Sequence, residues 1–109
     1  MAFMTLAILS LTASTLQPQT PVRLRSGSIS NADYPAAAAG ASGTTRVSLV
    51  IDTNGRVAHC SVAQSSGNSV LDGISCPLVA QRYRFTPATR DGQAVTGNYQ
   101  QSIRWTPPR

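Results

Sequence analysis

The 109-residue chain contains no lysine and no glutamate, a single histidine, a single tryptophan and only two cysteines. Each shortage closes off a line of chemistry. Without glutamate, acid–base work would fall to four aspartates, Asp33, Asp52, Asp72 and Asp91, and to His59. No serine sits in anything like a nucleophile elbow, and a lone histidine on a strand is ordinarily an exposed or cross-strand-packed side chain. Without lysine, Gly40-Ala-Ser-Gly43-Thr-Thr lacks both the cation and the spacing of a phosphate loop. The cysteines, Cys60 and Cys76, stand too far apart for a Cys-X-X-Cys redox motif, and a metal would need more ligands than they and His59 supply. The sequence therefore predicts a protein that is not an enzyme and carries no cofactor and no metal.

Charge is one-sided but dispersed. Nine arginines against four aspartates give +5, yet only Arg23/Arg25 and Arg82/Arg84 come close together, with no run of five or six. Aromatic residues make up 6% of the chain, too few for a platform on which bases stack. A solvated basic surface is expected, and no nucleic-acid partner.

No apolar run is long enough for a full membrane span. Residues 1–16 carry no charge before polarity takes over at Gln17-Pro18-Gln19-Thr20-Pro21. As a helix those residues would cover about 24 Å, short of a ~30 Å hydrocarbon core. A signal peptide cleaved after Ala13 or Ser14 is the favoured reading of this leader, with a short membrane anchor or a buried apolar segment as alternatives. Residues 17–33 are rich in Pro, Ser, Gln and Thr without periodicity and read as a flexible linker. The domain proper is placed at residues 34–109. So small a core gains from a covalent tie. A Cys60–Cys76 disulfide would close a loop of about 15 residues, worth about 3 kcal/mol in the chain-entropy model; buried free thiols are the alternative.

The elements follow from pattern. Tyr34-Pro35 and the alanines to Ala39 predict a short helix of one or two turns, ended by Gly40. Asn54-Gly55 predicts a two-residue type I′ hairpin turn between strands 45–52 and 57–64. Pairs Val47–Val62, Leu49–Cys60 and Ile51–Ala58 would then share the inner face, and Ser48–Ser61, Val50–His59 and Asp52–Val57 the outer one. A three-residue turn would instead rotate Cys60 outward unless a second bulge restored it; Cys60 is expected inward. Ser69 with Asp72 predicts a helix start. Leu71, Ile74 and Leu78 form its apolar stripe, and Pro77 predicts a kink near Cys76. After a turn at Asp91-Gly92, alternation from Val95 to Trp105 predicts a half-buried strand stopped by Pro107-Pro108. The fold class is α+β: a small three-stranded antiparallel sheet on one kinked helix, plus the short N-terminal helix.

The ordered set Tyr34-Pro35, Asp52-Thr-Asn-Gly55-Arg-Val57, Ser65-Ser66-Gly67, Leu71-Asp72, Arg82-Tyr-Arg-Phe85-Thr-Pro87-Ala88, Gly92-Gln-Ala-Val95 and Ile103-Arg-Trp105 resembles the carboxy-terminal domain of TonB-type energy transducers over about residues 31–106. The two cysteines resemble those of a disulfide-containing branch. The resemblance implies a periplasmic module that binds an extended segment of an outer-membrane receptor, the TonB box, by β-augmentation at the edge of the last strand. The implied partner-binding residues are Thr96, Asn98, Gln100, Ser102 and Arg104, with Asn31 and Asp33 where the family usually has glutamines. It further implies a link to TonB-dependent transport, although a full membrane helix and a long proline-rich spacer, as transducers carry, are not seen in this sequence. The alternative is a structural or self-associating envelope protein of the same fold, with a homodimer possible and membrane contact only through an uncleaved leader.

Overall fold

The computed structural model describes residues 19–108. The predicted leader, residues 1–16, and the first two residues of the predicted linker lie outside them.

The chain order is β1 (Gln19–Thr20), β2 (Arg23–Ser26), 3-10 turns at Asn31–Asp33 and Ala36–Ala38, β3 (Gly43–Ile51), β4 (Val57–Gln64), α1 (Ser69–Arg82), β5 (Arg84–Thr86), β6 (Ala88–Arg90), β7 (Gln93–Val95) and β8 (Gly97–Trp105). The main sheet is antiparallel with order β4-β3-β8, so β3 lies in the middle. Two smaller pairings join it, β1-β6-β7 and β2-β5. The α+β class and the three-stranded sheet on one helix match the sequence reading.

Strict alternation puts Thr45, Val47, Leu49 and Ile51 of β3 on one face, all at most 1% exposed, because successive strand side chains point to opposite sides. Against them packs α1 through Leu71, Ser75 and Val79. That buried line departs from the predicted stripe of Leu71, Ile74 and Leu78, since Ile74 and Leu78 are only partly covered. Ser75 is small enough to meet the sheet, and its hydroxyl donates to the Leu71 carbonyl at 2.8 Å, so its own buried oxygen is not left without a partner. Tyr83, Phe85, Ile103 and Trp105 complete the core, and Phe85 meets Tyr99 edge-on at 5.1 Å.

The cap of helix α1 lies one residue before the predicted one. Asn68, not Ser69, caps it, its side-chain oxygen accepting from the Val70 and Leu71 N–H groups at 3.0 Å each. The helix runs unbroken through Pro77, which deprives only the Gly73 carbonyl of a partner, and Gly73 is exposed and open to water. The predicted short helix after Pro35 is a single 3-10 turn, Ala36–Ala38, closed by Ala39 in the left-handed region. Part of the predicted linker carries structure: β1 pairs with β6 and β2 with β5, and Val22 between them is buried.

The hairpin turn differs from the predicted type. Among Asp52–Arg56 only Gly55 has positive φ (82°), whereas a type I′ turn requires it at both central residues. Asp52 instead accepts from the Asn54 and Arg56 N–H groups through its carboxylate and donates its own N–H to the Arg56 carbonyl. The result is a three-residue turn, and Ile51 pairs with Val57 rather than Ala58. A bulge at Ala58 then restores the predicted register, Val50–His59, Leu49–Cys60, Ser48–Ser61 and Val47–Val62, and Cys60 faces α1. The two-residue turn with both residues at positive φ stands at Asp91-Gly92, 53° and 82°.

Candidate binding edge

Strand β8 pairs with β3 through nine consecutive positions, from Gly43–Trp105 to Ile51–Gly97, without a register shift. No described strand pairs with its other side. A row of main-chain N–H and C=O groups therefore lies open along nine residues, which is a template for another strand. The opposite edge, β4, is also free but is broken twice. Register shifts between Arg46 and Val47 and between Val50 and Ile51 leave Ala63 and Ala58 of β4 unpaired, and bulges of this kind bend a strand and blunt it as a template.

The two faces of β8 are unlike. Ile103 and Trp105 are buried, and Tyr99 and Gln101 half-buried, toward the core, while Asn98, Gln100, Ser102 and Arg104 are exposed on the outer face. Those four of the predicted binding residues are thus brought onto one side of one strand. Thr96 is not among them; it is exposed between β7 and β8. The Trp105 indole Nε1 is buried with no hydrogen-bond partner, and a hollow lined by Ser42, Gly43, Thr44, Arg104, Trp105 and Thr106 opens at that end of the strand.

Asn31 and Asp33 stand apart from the edge and are engaged within the chain. The Thr106 hydroxyl and the Asn31 side-chain oxygen are 3.0 Å apart, which ties the first 3-10 turn to the end of β8. Asp33 completes a capping box with Ser30 and holds Arg82 through both carboxylate oxygens, each at 2.6 Å. The hydrogen bond from Arg82 and that from the Ser30 N–H keep the Asp33 carboxyl below the usual carboxylate range. Asp33 is thereby a latch between the N-terminal segment and the end of α1.

Beneath the sheet, Cys60 of β4 and Cys76 of α1 form a disulfide with Cα atoms 5.8 Å apart. A second tie between helix and sheet went unread in the sequence. Asp72 of α1 accepts from Thr45 Oγ1 at 2.9 Å, from the Ser66 N–H at 2.9 Å, from Ser66 Oγ at 2.8 Å and from Ser65 Oγ. Burial pushes its pKa up, but the hydrogen bonds from Ser65, Ser66 and Thr45 outweigh that and hold it at about 2. The signal available was the Ser65-Ser66 pair six and seven residues before an aspartate in the first turn of a helix.

The chain is thus an α+β domain with a disulfide-tied helix and an unbroken open edge strand. The family model described as "Gram-negative bacterial TonB protein C-terminal" matches residues 30–107, and the chain belongs to that family. It is a TonB-like protein-interaction domain of the cell envelope; the family is not an enzymatic one, and its domains interact with proteins such as outer-membrane receptors. No curated protein matches the chain. Among the described residues, no helix is long and apolar enough to cross a membrane.

Proposed function

We propose that the chain is a periplasmic binding module that takes an extended, TonB-box-like segment of an outer-membrane receptor onto the free edge of β8, as part of TonB-dependent transport. The observation that carries this reading is the contrast between the two sheet edges: nine unshifted positions on β8 against two bulges on β4. Main-chain hydrogen bonds along β8 supply affinity. Asn98, Gln100, Ser102 and Arg104 meet the outward side chains of the incoming strand. Thr96 meets the segment where it passes the start of β8, and Asn31 and Asp33 act at the far end by holding the N-terminal segment in place.

The test uses receptor-derived peptides that are N-methylated at one backbone position each. A strand bonds to its neighbour through alternate residues only. Methylation at every second position should abolish binding while the intervening positions tolerate it. Uniform tolerance, or uniform loss, would show that the segment is held by its side chains and not as an added strand.

A second reading rests on the same edge, since an open strand can pair with its copy across a two-fold axis. Sedimentation over a range of concentrations separates them: a dimer that dissociates when the receptor peptide is added places both on β8.

A further inference from the structure

The ribbon formed by β1 and β2 against β6 and β5 is a second charged surface, separate from β8. Residues 19–26 and 84–90 contain Arg23, Arg25, Arg84 and Arg90 and not one aspartate. The ion pair found among the described residues joins Arg82 to Asp33, so none of these four guanidiniums faces a carboxylate there. Arg23, Arg25 and Arg90 are exposed. Arg84 donates through Nη1 to the Ala80 and Tyr83 carbonyls, which orients the group and leaves its charge uncompensated. The charges spread along about 20 Å of extended chain, at about 3.3 Å per residue.

We propose that this ribbon is a peripheral docking surface for anionic phospholipid headgroups, with Arg23, Arg25, Arg84 and Arg90 on the phosphates. Charge complementarity to an anionic bilayer is the first argument. The second is shape: the four cations are spread along two adjacent extended strand pairs, β2-β5 and β1-β6. The third is position in the uncleaved chain, where Arg23 follows the uncharged apolar stretch that ends at Leu16 by seven residues, a reach of about 25 Å at most. Single-stranded nucleic acid is the poorer fit, since the one aromatic side chain of the ribbon, Phe85, is 1% exposed and cannot stack on bases. This surface is distinct from the membrane contact that an uncleaved leader would make, and it does not depend on the role of β8.

The test is flotation of the full chain with phosphatidylcholine vesicles, with and without 30% phosphatidylglycerol, at about 0.1 M salt. The variant Arg23→Gln/Arg25→Gln/Arg90→Gln is compared with Arg46→Gln/Arg56→Gln/Arg104→Gln, which removes the same charge from other exposed positions. Circular dichroism establishes that both remain folded. The ribbon variant should lose about 100-fold in partition onto the anionic vesicles, about one decade or less per arginine, and the other variant far less. Equal losses would reduce the effect to net charge and overturn the proposal. Wild-type binding that is the same on neutral vesicles would assign it to the apolar stretch instead. Tighter, equally ribbon-dependent binding to single-stranded DNA than to vesicles would overturn the membrane assignment.

Discussion

Replacing Asp72 should destabilise the domain far more than its partly exposed position suggests. Its Oδ1 accepts from Thr45 Oγ1, the Ser66 N–H and Ser66 Oγ, and Thr45 is fully buried. In Asp72→Ala the Thr45 hydroxyl loses its acceptor where water cannot replace it, at a cost of about 1 to 3 kcal/mol. The half-buried Ser66 N–H adds about 1 kcal/mol, for a total near 3 kcal/mol. Asp72→Asn keeps one acceptor oxygen and should cost about 1 kcal/mol. Thr45→Val removes the orphaned hydroxyl, so it should be damaging in the wild type and nearly harmless beside Asp72→Ala, a coupling of about 1 to 2 kcal/mol. The carboxyl also titrates below its ordinary 3.8, at about 2. Its contribution is thus present above about pH 4 and lost as pH falls toward 2, by about 1 kcal/mol after solvent screening. Urea denaturation followed by Trp105 fluorescence measures all three, with the Asp72→Ala midpoint falling by about 3 M for a slope near 1 kcal/mol/M. Additive effects of Thr45→Val and Asp72→Ala, or a gap between wild type and Asp72→Asn that is unchanged from pH 6 to pH 2, would show that Asp72 does not tie the helix to the sheet in this way.

Three further outcomes follow from the packing. Cys60→Ala/Cys76→Ala should lower stability by about 3 kcal/mol, from a bridge spanning 16 positions, and a denaturation midpoint equal to that of the oxidised protein would contradict the tie. Gly55→Ala should be damaging by more than about 1 kcal/mol, because φ is 82° and an added Cβ would fall 2.0 Å from the Phe85 carbonyl oxygen; wild-type thermal stability would show that the turn relaxes. Leu71→Ala should cost about 2 to 5 kcal/mol, since Leu71 is fully enclosed between α1 and the sheet, whereas Leu78→Ala should cost clearly less by the same measurement.

The main sheet and its helix were legible because their residues obey strong periodicities: alternation in 45–51 and 97–105, and a helical stripe after Ser69. Register was legible too, since only one pairing buries Val47, Leu49 and Cys60 together. The turn type was misassigned because a local competitor, the Asp52 carboxylate bonding to two N–H groups downstream, drew Asn54 away from positive φ. Nothing in the dipeptide itself carries that information. Strands β5, β6 and β7 are three residues each, too short to show a period. Strands β1 and β2 are exposed on every residue, so no burial pattern marks them, and Pro21 between them reads as a breaker. Of the candidate site, the outer face of β8 could be read from alternation, but the intramolecular tasks of Asn31 and Asp33 depend on Thr106 and Arg82, residues 75 and 49 positions away.

The unbroken register of β8 also bears on the evolutionary logic of the edge. A long, flat, open strand is a hazard that proteins ordinarily blunt, and this chain blunts β4 with two bulges while leaving β8 regular. The asymmetry makes sense if β8 is kept for a partner.

The most direct test of that claim is amide-resonance mapping of the 15N-labelled protein during titration with a receptor-derived TonB-box peptide. Shifts and slowed hydrogen exchange should concentrate in Gly97–Trp105, with Val57–Gln64 undisturbed. Perturbations centred on β4, or none along β8 at saturating peptide, would contradict it.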